Sequence, residues 1–412
     1  MLGPHIVALG MEPVAAALAR LSKAQAKCAK ELEALSETHA TSPAWAAAGI
    51  AAMVRLCHDP ASAADAAAVL RRLSDAEDAN DDRIREAGAI PPLVALLAGG
   101  LKSMAAGKAA LVLGNLAGNH ANRVAIREAG AIPPLVARLS GGAESGKAAD
   151  AANALANLAI NNEANNAAIR EAGAIPPLVA LLSGGPESEA AEEAALALSN
   201  LASDDEGEAA VTEAGAIPPL VALLSGGPES EAAQRAAGAL RNLTSSDANK
   251  AAIIRAGAIP LLMALLSGGR ESKTASEAAI VLANLACDDE ASTAIIEAGA
   301  VRPLVALLSG GPGSLAADSA VGALLNLARG TNPTAVLEEV ARTQTDCSSW
   351  HNLRDELREA GVQLLSEAVE EGTDVATLER AILLATAAQL DAAALEHAQK
   401  RLREINGDAE RQ

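Results

Sequence analysis

Apolar residues recur at steps of three and four along most of this chain, which is the spacing of one face of an α-helix. In the segment from Ser188 to Leu201, for example, Ala191, Ala195 and Leu198 form one such stripe. Runs of β-branched residues that alternate with polar ones are absent from the sequence. The pattern therefore predicts an all-α protein without a β-sheet.

The phrase GAIPPLVALL and its variants return at a nearly fixed interval. The leading glycine stands at six positions spaced 42 or 43 residues apart, namely Gly88, Gly130, Gly173, Gly215, Gly257 and Gly299. An asparagine in the context L-x-N-L keeps step with it, at Asn115, Asn157, Asn200, Asn242, Asn284 and Asn326. A period of this size in a helical chain is typical of stacked repeats of two or three helices, each too small to bury its own apolar face. The predicted architecture is therefore an α-solenoid.

Each repeat is predicted to contain three helices. In residues 165–202, a short first helix ends at Gly173, where glycine can adopt the positive φ that a sharp change of direction needs. The Pro-Pro pair that follows falls in the first turn of the second helix, where a missing N–H costs nothing. Gly184 and Gly185 stop that helix, and Ser188 is the predicted N-cap of the third.

The repeat pattern divides the chain into three predicted parts. Residues 1–48 read as an N-terminal helical cap, and residues 49–332 as an array of about seven units. The earliest unit is degenerate, with Arg72 in place of the asparagine. Residues 333–412 remain helical without the repeat phrase and are predicted to form a C-terminal hairpin. Either this hairpin caps the second end of the stack, or it is a separate interaction module.

Composition narrows the class of partner. The chain of 412 residues has a net charge of −20, no Phe and no Tyr, and its two Trp are Trp45 and Trp350. A nucleic-acid surface needs clustered Lys and Arg, and single strands need aromatic platforms, so no nucleic-acid partner is expected. The acidity favours solubility or, alternatively, basic protein partners.

The cysteines and the hydropathy pattern bear on the compartment. The four cysteines, Cys28, Cys57, Cys287 and Cys347, are far apart and form no CxxC pair. This indicates neither a disulfide framework nor a zinc site, and it suits a reducing compartment. No run of 18 apolar residues is free of charge or proline, so no transmembrane segment is expected. We expect a cytoplasmic protein, with the nucleus as the alternative.

No arrangement of residues predicts chemistry. The histidines are scattered, and the Gly-Gly loops lack the lysine and Ser/Thr of a phosphate-binding loop. The acidic triplets that begin at Asp204 and Asp288 lack the alternating oxygen ligands of a calcium loop and are predicted to start first helices. We therefore expect no enzyme, no cofactor, no metal and no small-molecule substrate.

The three helices together resemble the armadillo repeat. The resemblance rests on IREAG in the first helix, AIPPLVALLSGG in the second and EEAALALSNLA in the third, and it covers roughly residues 49–330. It implies a right-handed superhelix whose third helices line a concave groove. It also implies that the asparagines hold the backbone of an extended peptide there. The alternative is that each asparagine only ties one repeat to the next.

The chain departs from importin alpha, the best-known member of this family, at one decisive row. That family places a tryptophan one turn before the asparagine to hold lysine side chains. The corresponding residues here are Leu111, Asn153, Leu196, Gly238, Ile280 and Gly322. Without indole rings the cation–π contribution is lost, which disfavours a nuclear-transport receptor. The repeat phrase is closer in style to the fungal vacuolar armadillo protein and to plant armadillo arrays, but no acylation site or U-box-like domain is present.

These observations lead to one functional prediction. The candidate partner-binding residues of the groove are Asn115, Asn157, Asn200, Asn242, Asn284, Asn326, Glu192, Glu193, Arg235 and Glu277. The charges around the asparagines are mixed and lean acidic, through Asp150 and Asp318 in addition to the glutamates. The prediction is a non-enzymatic scaffold or adaptor that binds an extended, basic or mixed-charge segment of a partner protein. The alternatives are a structural or capping subunit that docks through the C-terminal helices, and a transport receptor.

Overall fold

The computed structural model describes residues 43–101, 103–311, 313–329, 333–343, 351–370 and 375–388, with short pieces at 390, 395–396, 398–400 and 402–403. Over these residues the regular structure is helical, with no β-strand. The prediction of an all-α protein is confirmed. The predicted N-terminal cap lies almost wholly outside the described residues.

The chain divides into two compact units, Met1–Ala216 and Ile217–Gln412. The first unit contains α1 Pro43–Leu56, α2 Ala63–Ala76, α3 Asp78–Glu86, α4 Ile90–Leu97, α5 Met104–Leu116, α6 His120–Glu128, α7 Ile132–Arg138, α8 Gly146–Ala159, α9 Glu163–Glu171, α10 Ile175–Leu181, α11 Glu189–Leu201 and α12 Asp205–Glu213. The second contains α13 Ile217–Leu223, α14 Glu231–Leu243, α15 Asp247–Arg255, α16 Ala258–Leu265, α17 Lys273–Leu285, α18 Asp289–Glu297, α19 Val301–Leu307, α20 Leu315–Arg329, α21 Pro333–Thr343, α22 His351–Glu370 and α23 Val375–Ala387.

The helices follow the predicted plan of three per repeat. The first helices are α3, α6, α9, α12, α15 and α18, the second are α4, α7, α10, α13, α16 and α19, and the third are α5, α8, α11, α14, α17 and α20. Helices α1 and α2 stand where the second and third helices of the degenerate unit were predicted. The predicted domain limits, 48/49 and 332/333, stay predictions.

The predicted turn chemistry is confirmed in the repeat of α9, α10 and α11. Gly173 has a φ of +73°, and the two prolines occupy the first turn of α10. Helix α10 passes into a short 3₁₀ turn, Leu182–Gly184, before Gly185 adopts a φ of +79°. Ser188 then caps α11, its Oγ accepting a hydrogen bond from the Ala191 N–H at 3.3 Å. Each signal in the sequence thus marks a helix end in the structure.

The acidic triplets start first helices, as predicted. Asp204 caps α12 by accepting a hydrogen bond from the Gly207 N–H at 2.7 Å, and Asp288 caps α18 by accepting one from the Ala291 N–H at 2.9 Å. The carboxylates that follow each cap lie at the positive end of the helix dipole.

The core is built from small side chains on closely approaching helices. Helix α8 buries Ala148, Ala149, Ala151, Ala152, Ala154, Leu155, Ala156, Leu158 and Ala159. Gly114 of α5 faces it so closely that an added Cβ would lie 3.2 Å from Asn153 Oδ1 and 3.4 Å from Ala154 Cα. The chain has no Phe or Tyr, so no bulky ring separates the helices. The small alanine and glycine side chains therefore allow neighbouring third helices to pack at short range.

A second row of asparagines, on the first helices, binds the ends of the third helices. Asn80 and Asn165 are fully buried, and their Nδ2 atoms donate to the carbonyls of Leu73 and Leu158 at 2.7 and 2.8 Å. These bonds satisfy carbonyls that the end of a helix leaves without intrahelical partners. At the equivalent position of α12 stands Gly207, and a Cβ there would clash with the Leu201 carbonyl.

The C-terminal helices pack on the last repeat. Helix α21 contacts α19 and α20, helix α22 contacts α20, and helix α23 packs on α21 and α22. Leu353 and Leu357 of α22 are buried, and Arg329 Nε lies 2.8 Å from Glu356 Oε2. The described part of the C-terminal region therefore covers the end of the second unit, which favours a cap over a detached module.

No single helix among the described residues is both long and apolar enough to cross a membrane. Two bent pairs of shorter helices meet that test of length and composition only in combination.

Replacing Gly215 by valine should destabilise the first unit. Gly215 ends α12 with a φ of +76°, and no heavy atom lies within 4 Å of an added Cβ. The cost is therefore backbone strain, about 1–2 kcal/mol, rather than a clash. Urea unfolding measures it. Gly146→Val is the matched control, because Gly146 has open space and an ordinary φ at the start of α8. Equal effects of the two substitutions would contradict this reading.

Ending the chain after Arg329 should destabilise the last repeat. The truncation removes Val336, Leu337, Val340, Leu353 and Leu357, which are buried within the second unit. The apolar surface of α19 and α20 would then face water. Hydrogen exchange should accelerate across Leu315–Arg329 and much less across Met104–Leu116 in the first unit. Unchanged exchange in α20 would show that the C-terminal helices do not serve as a cap.

Candidate functional site

The candidate site is the face formed by neighbouring third helices, here called the third-helix face. In the first unit α5, α8 and α11 pack side by side, and in the second unit α14, α17 and α20 do so. The six asparagines of the L-x-N-L motif recur near the end of these helices, and all six side chains are half-buried. Repetition of the motif therefore places one amide per repeat on this face in each unit.

The asparagine amides donate hydrogen bonds to the preceding repeat. Asn157, Asn200 and Asn326 donate through Nδ2 to the carbonyls of Gly114, Ala156 and Ala283 at 3.0, 2.9 and 2.8 Å. Each acceptor is the residue just before the preceding asparagine of the same unit. These bonds tie neighbouring repeats together, which is the structural role that the sequence left as the alternative.

Two other asparagines make the tie through a side chain. Asn284 Nδ2 donates to Thr244 Oγ1 at 2.7 Å, and Asn115 Nδ2 donates to Asp75 Oδ1 at 2.6 Å. Asn242 Oδ1 accepts a hydrogen bond from Arg241 Nε at 3.3 Å. Because an amide has two donors and two acceptor sites, a tie to the preceding repeat and a bond to a partner are compatible functions of one side chain. Partner binding by the six asparagines stays a prediction.

Asn153 also belongs to the site. The sequence identifies it only as one of the residues that stand where importin alpha has tryptophan. Its Nδ2 donates to Glu193 Oε2 of the next repeat at 3.0 Å, and its Oδ1 accepts from Asn157 Nδ2 at 3.3 Å. The result is a polar chain across α8 and α11 where importin alpha has an apolar indole. Its spacing of four residues from Asn157 places both amides on one helix face, which is the signal that could have revealed it.

The predicted charged residues of the second unit are largely compensated. Arg241 Nη1 lies 3.1 Å from Glu277 Oε2, and burial raises the pKa of Glu277 while Arg241 opposes the rise. Arg235 lies 3.7 Å from Glu231 on its own helix. Both glutamates therefore face an arginine, and this part of the face is mixed in charge.

In the first unit, the surroundings of the Asp150 carboxyl group disfavour its charged form. The pKa of Asp150 is raised to about 6, first by burial and then by the nearby charge of Glu189, while Arg138 and Arg71 oppose the rise. Glu192 and Glu193 lie on the neighbouring helix α11 and are half-buried. The third-helix face of the first unit is accordingly the more acidic of the two.

A buried arginine lies beneath this carboxylate. Arg138 stands where five other repeats have leucine, and it is 1% exposed. Its Nη1 donates to the Gly100 carbonyl at 3.2 Å, and its Nη2 lies 3.5 Å from the position that a Cβ on Gly107 would take. The guanidinium thus lies against Gly107 of α5, at a distance that even an added Cβ would meet as an ordinary contact. Burial lowers the pKa of Arg138.

No group of three or more His, Cys, Asp or Glu side chains within the described ranges is arranged to hold a metal ion. Cys57 is buried, and burial raises the pKa of its thiol to about 12, so the thiolate form is strongly disfavoured.

Comparison with known proteins identifies the family. The Armadillo/beta-catenin-like repeat model matches residues 162–203, 204–245 and 246–287, in phase with the three-helix units seen here. No curated protein matches the sequence. The crystal structure of an engineered protein is 29% identical, with a TM-score of 0.72 over 93% of this chain and 96% of that one.

Designed armadillo repeat proteins are also similar. One, solved in complex with the peptide (KR)4, is 33% identical with a TM-score of 0.51, and the alignment covers 58% of this chain and 99% of that one. Another is 30% identical with a TM-score of 0.50 over 57% of this chain and 99% of that one. The chain is an armadillo-repeat protein, and nothing in these matches is specific to importin alpha.

Substituting Asp150 by asparagine should stabilise the fold at neutral pH but not in acid. The folded pKa, about 6, lies above the ordinary value of 3.8, so the folded chain retains a proton that the unfolded chain has lost. Stability therefore falls as pH rises through this window, by about 1 kcal/mol after allowance for solvent screening. The difference in melting temperature between Asp150→Asn and the parent should grow from pH 4 to pH 7. A constant difference would contradict the assignment.

Proposed function

We propose that this armadillo-repeat protein is a non-enzymatic scaffold whose third-helix faces bind extended segments of partner proteins. The observation that carries the proposal is the state of Asn200 and Asn284. Each is half-buried and uses a single hydrogen bond, donated by Nδ2, in its tie to the preceding repeat. Within the described residues no protein donor reaches their Oδ1 atoms. Each amide therefore keeps an acceptor and a second N–H for a peptide backbone.

The charges favour different segments in the two units. In the first unit Asp150, Glu192 and Glu193 favour a basic segment, since complementary charge speeds association and excludes acidic competitors. In the second unit the pairs Arg241–Glu277 and Arg235–Glu231 favour a segment of mixed charge. A designed armadillo repeat protein of 33% identity in complex with the basic peptide (KR)4 supports the same mode of binding.

The absence of tryptophan at the neighbouring row changes what such a face can recognise. Leu196 and Ile280 offer aliphatic contact, and Gly238 and Gly322 offer none, so lysine side chains gain little cation–π stabilisation here. Recognition through backbone hydrogen bonds and distributed charge should consequently tolerate variation in the bound sequence. This property suits an adaptor better than a receptor for one signal.

The experiment is a titration of a fluorescein-labelled (KR)4 peptide, followed by anisotropy, with (DE)4 as the acidic comparison. The parent protein should bind (KR)4 and not (DE)4, and binding should weaken as salt is raised. The variant Asn200→Ala in the first unit should raise the dissociation constant about fivefold, since a lost hydrogen bond contributes about 0.5–1.5 kcal/mol.

The matched control is Asn165→Ala. Asn165 also bonds the preceding repeat, with Nδ2 3.4 Å from the Arg123 carbonyl, but it is buried on a first helix. Its loss should lower the urea midpoint and leave the dissociation constant of the folded protein unchanged. If Asn200→Ala likewise loses only stability, the third-helix asparagines are structural ties and the proposed function is wrong.

A further inference from the structure

A groove separates neighbouring first helices, on a different set of residues from the third-helix face. In the first unit the groove between α9 and α12 is crossed by one arginine. Arg170 Nη1 lies 3.1 and 3.0 Å from the two carboxylate oxygens of Asp204, and its Nη2 lies 2.9 Å from Glu206 Oε2. Only 15% of the Arg170 side chain is exposed. The guanidinium thus bridges two repeats, with one nitrogen on Asp204 and the other on Glu206.

The groove between α15 and α18 in the second unit has the same carboxylates but not the arginine. Asp288 and Glu290 stand 11 and 9 residues before Gly299, as Asp204 and Glu206 stand before Gly215. Ile254, three residues before Gly257, occupies the position that Arg170 has before Gly173. The two carboxylates, here called the acidic wall, are therefore retained in the second unit. The arginine that would pair with them is replaced by an aliphatic side chain.

This second groove encloses a cavity of about 370 Å³ with an apolar floor. The floor is formed by the aliphatic side chains Ala251, Ile254, Ala291 and Ala294. The exposed carboxylates Asp288 and Glu290 border the cavity from α18. Such a combination matches the two parts of an arginine side chain, an apolar stem and a planar cation.

The basic residues beside the cavity are otherwise engaged. Lys250 Nζ lies 2.9 Å from Asp247 Oδ1 on the same helix, and Arg255 Nε donates to the Ala251 carbonyl at 3.2 Å. Among the described residues neither cation forms an ion pair with Asp288 or Glu290. The acidic wall thus lacks a compensating charge of its own.

The remaining first-helix grooves of the first unit show what determines the bridge. Arg85 and Arg127 occupy the arginine position. The first helix of the next repeat, however, is capped by Asn119 or Asn162 in place of aspartate, and alanine stands two residues later in both cases. Both arginines pair with carboxylates of their own helix instead. An arginine crosses the groove where the next repeat supplies the two acids. The start of α18 supplies them, but the equivalent position of α15 is Ile254 instead of arginine.

We propose that the groove between α15 and α18 binds an arginine side chain of a partner protein. The stem lies on Ile254 and the alanines, and the guanidinium bonds Asp288 and Glu290 as Arg170 bonds Asp204 and Glu206. This second surface is independent of the third-helix face, so a bound partner can be held at two places on the molecule.

The test is methyl NMR of the full-length chain with labelled alanine and isoleucine methyls. The probe is a capped Gly-Arg-Gly tripeptide, with capped tripeptides that carry citrulline or lysine in place of arginine as comparisons. The arginine peptide should cause saturable shifts at Ile254, Ala291 and Ala294. The citrulline peptide, which keeps the shape but not the charge, should cause none. Equal shifts with the lysine peptide would reduce the site to general attraction of cations and overturn the proposal.

Three variants sharpen the test. Asp288→Asn with Glu290→Gln keeps the helix cap, because asparagine caps as well as aspartate, and should weaken binding about fivefold, the upper end for exposed ion pairs. Ile254→Arg should abolish binding by filling the groove from within. Arg170→Ile should create a new site, seen as shifts at Ala167. Binding that survives both the carboxylate substitutions and Ile254→Arg in folded protein would refute the proposal.

Discussion

Close packing between neighbouring third helices is the interaction on which the rest of this structure depends. A repeat of about 42 residues cannot bury its own apolar face, so each third helix must be covered by the next. With no Phe or Tyr in the chain, the contact is made by alanine, leucine and glycine at short range. Gly114 against Ala154 is one instance. The short amide of Asn157 can reach the Gly114 carbonyl only because the two helices approach so nearly.

The sequence predicts the local features of this architecture well. Gly173, the prolines of α10 and Ser188 mark helix ends by rules that depend on nearby backbone geometry alone, and the structure confirms each. The acidic triplets at Asp204 and Asp288 were assigned to helix starts for the same reason. Periodicity predicts that repeats stack, because an unburied apolar stripe needs a neighbour.

What the sequence could not provide is the partner of each polar group. Asn200 and Glu277 both belong to third helices, but their hydrogen bonds reach residues some 40 positions away, Ala156 and Arg241. A one-dimensional pattern contains the spacing but not the direction in which an amide points. Asn153 was missed for this reason, because its role depends on the hydrogen bond that it donates to Glu193 on the next third helix. The bridge formed by Arg170 becomes visible only when equivalent positions of several repeats are compared in space.

Differences between repeats, rather than the consensus, give this molecule its individual chemistry. Arg138 replaces a core leucine, and the resulting buried cation influences the ionisation of Asp150 on the candidate binding face. Ile254 replaces an arginine and leaves two carboxylates without an internal partner. In both cases the three-helix plan of the repeat is unchanged. Because each repeat contacts only its neighbours, the effect of a substitution is confined to adjacent repeats. A repeat array can therefore vary its surfaces one repeat at a time while the glycines, prolines and tying asparagines preserve the stack.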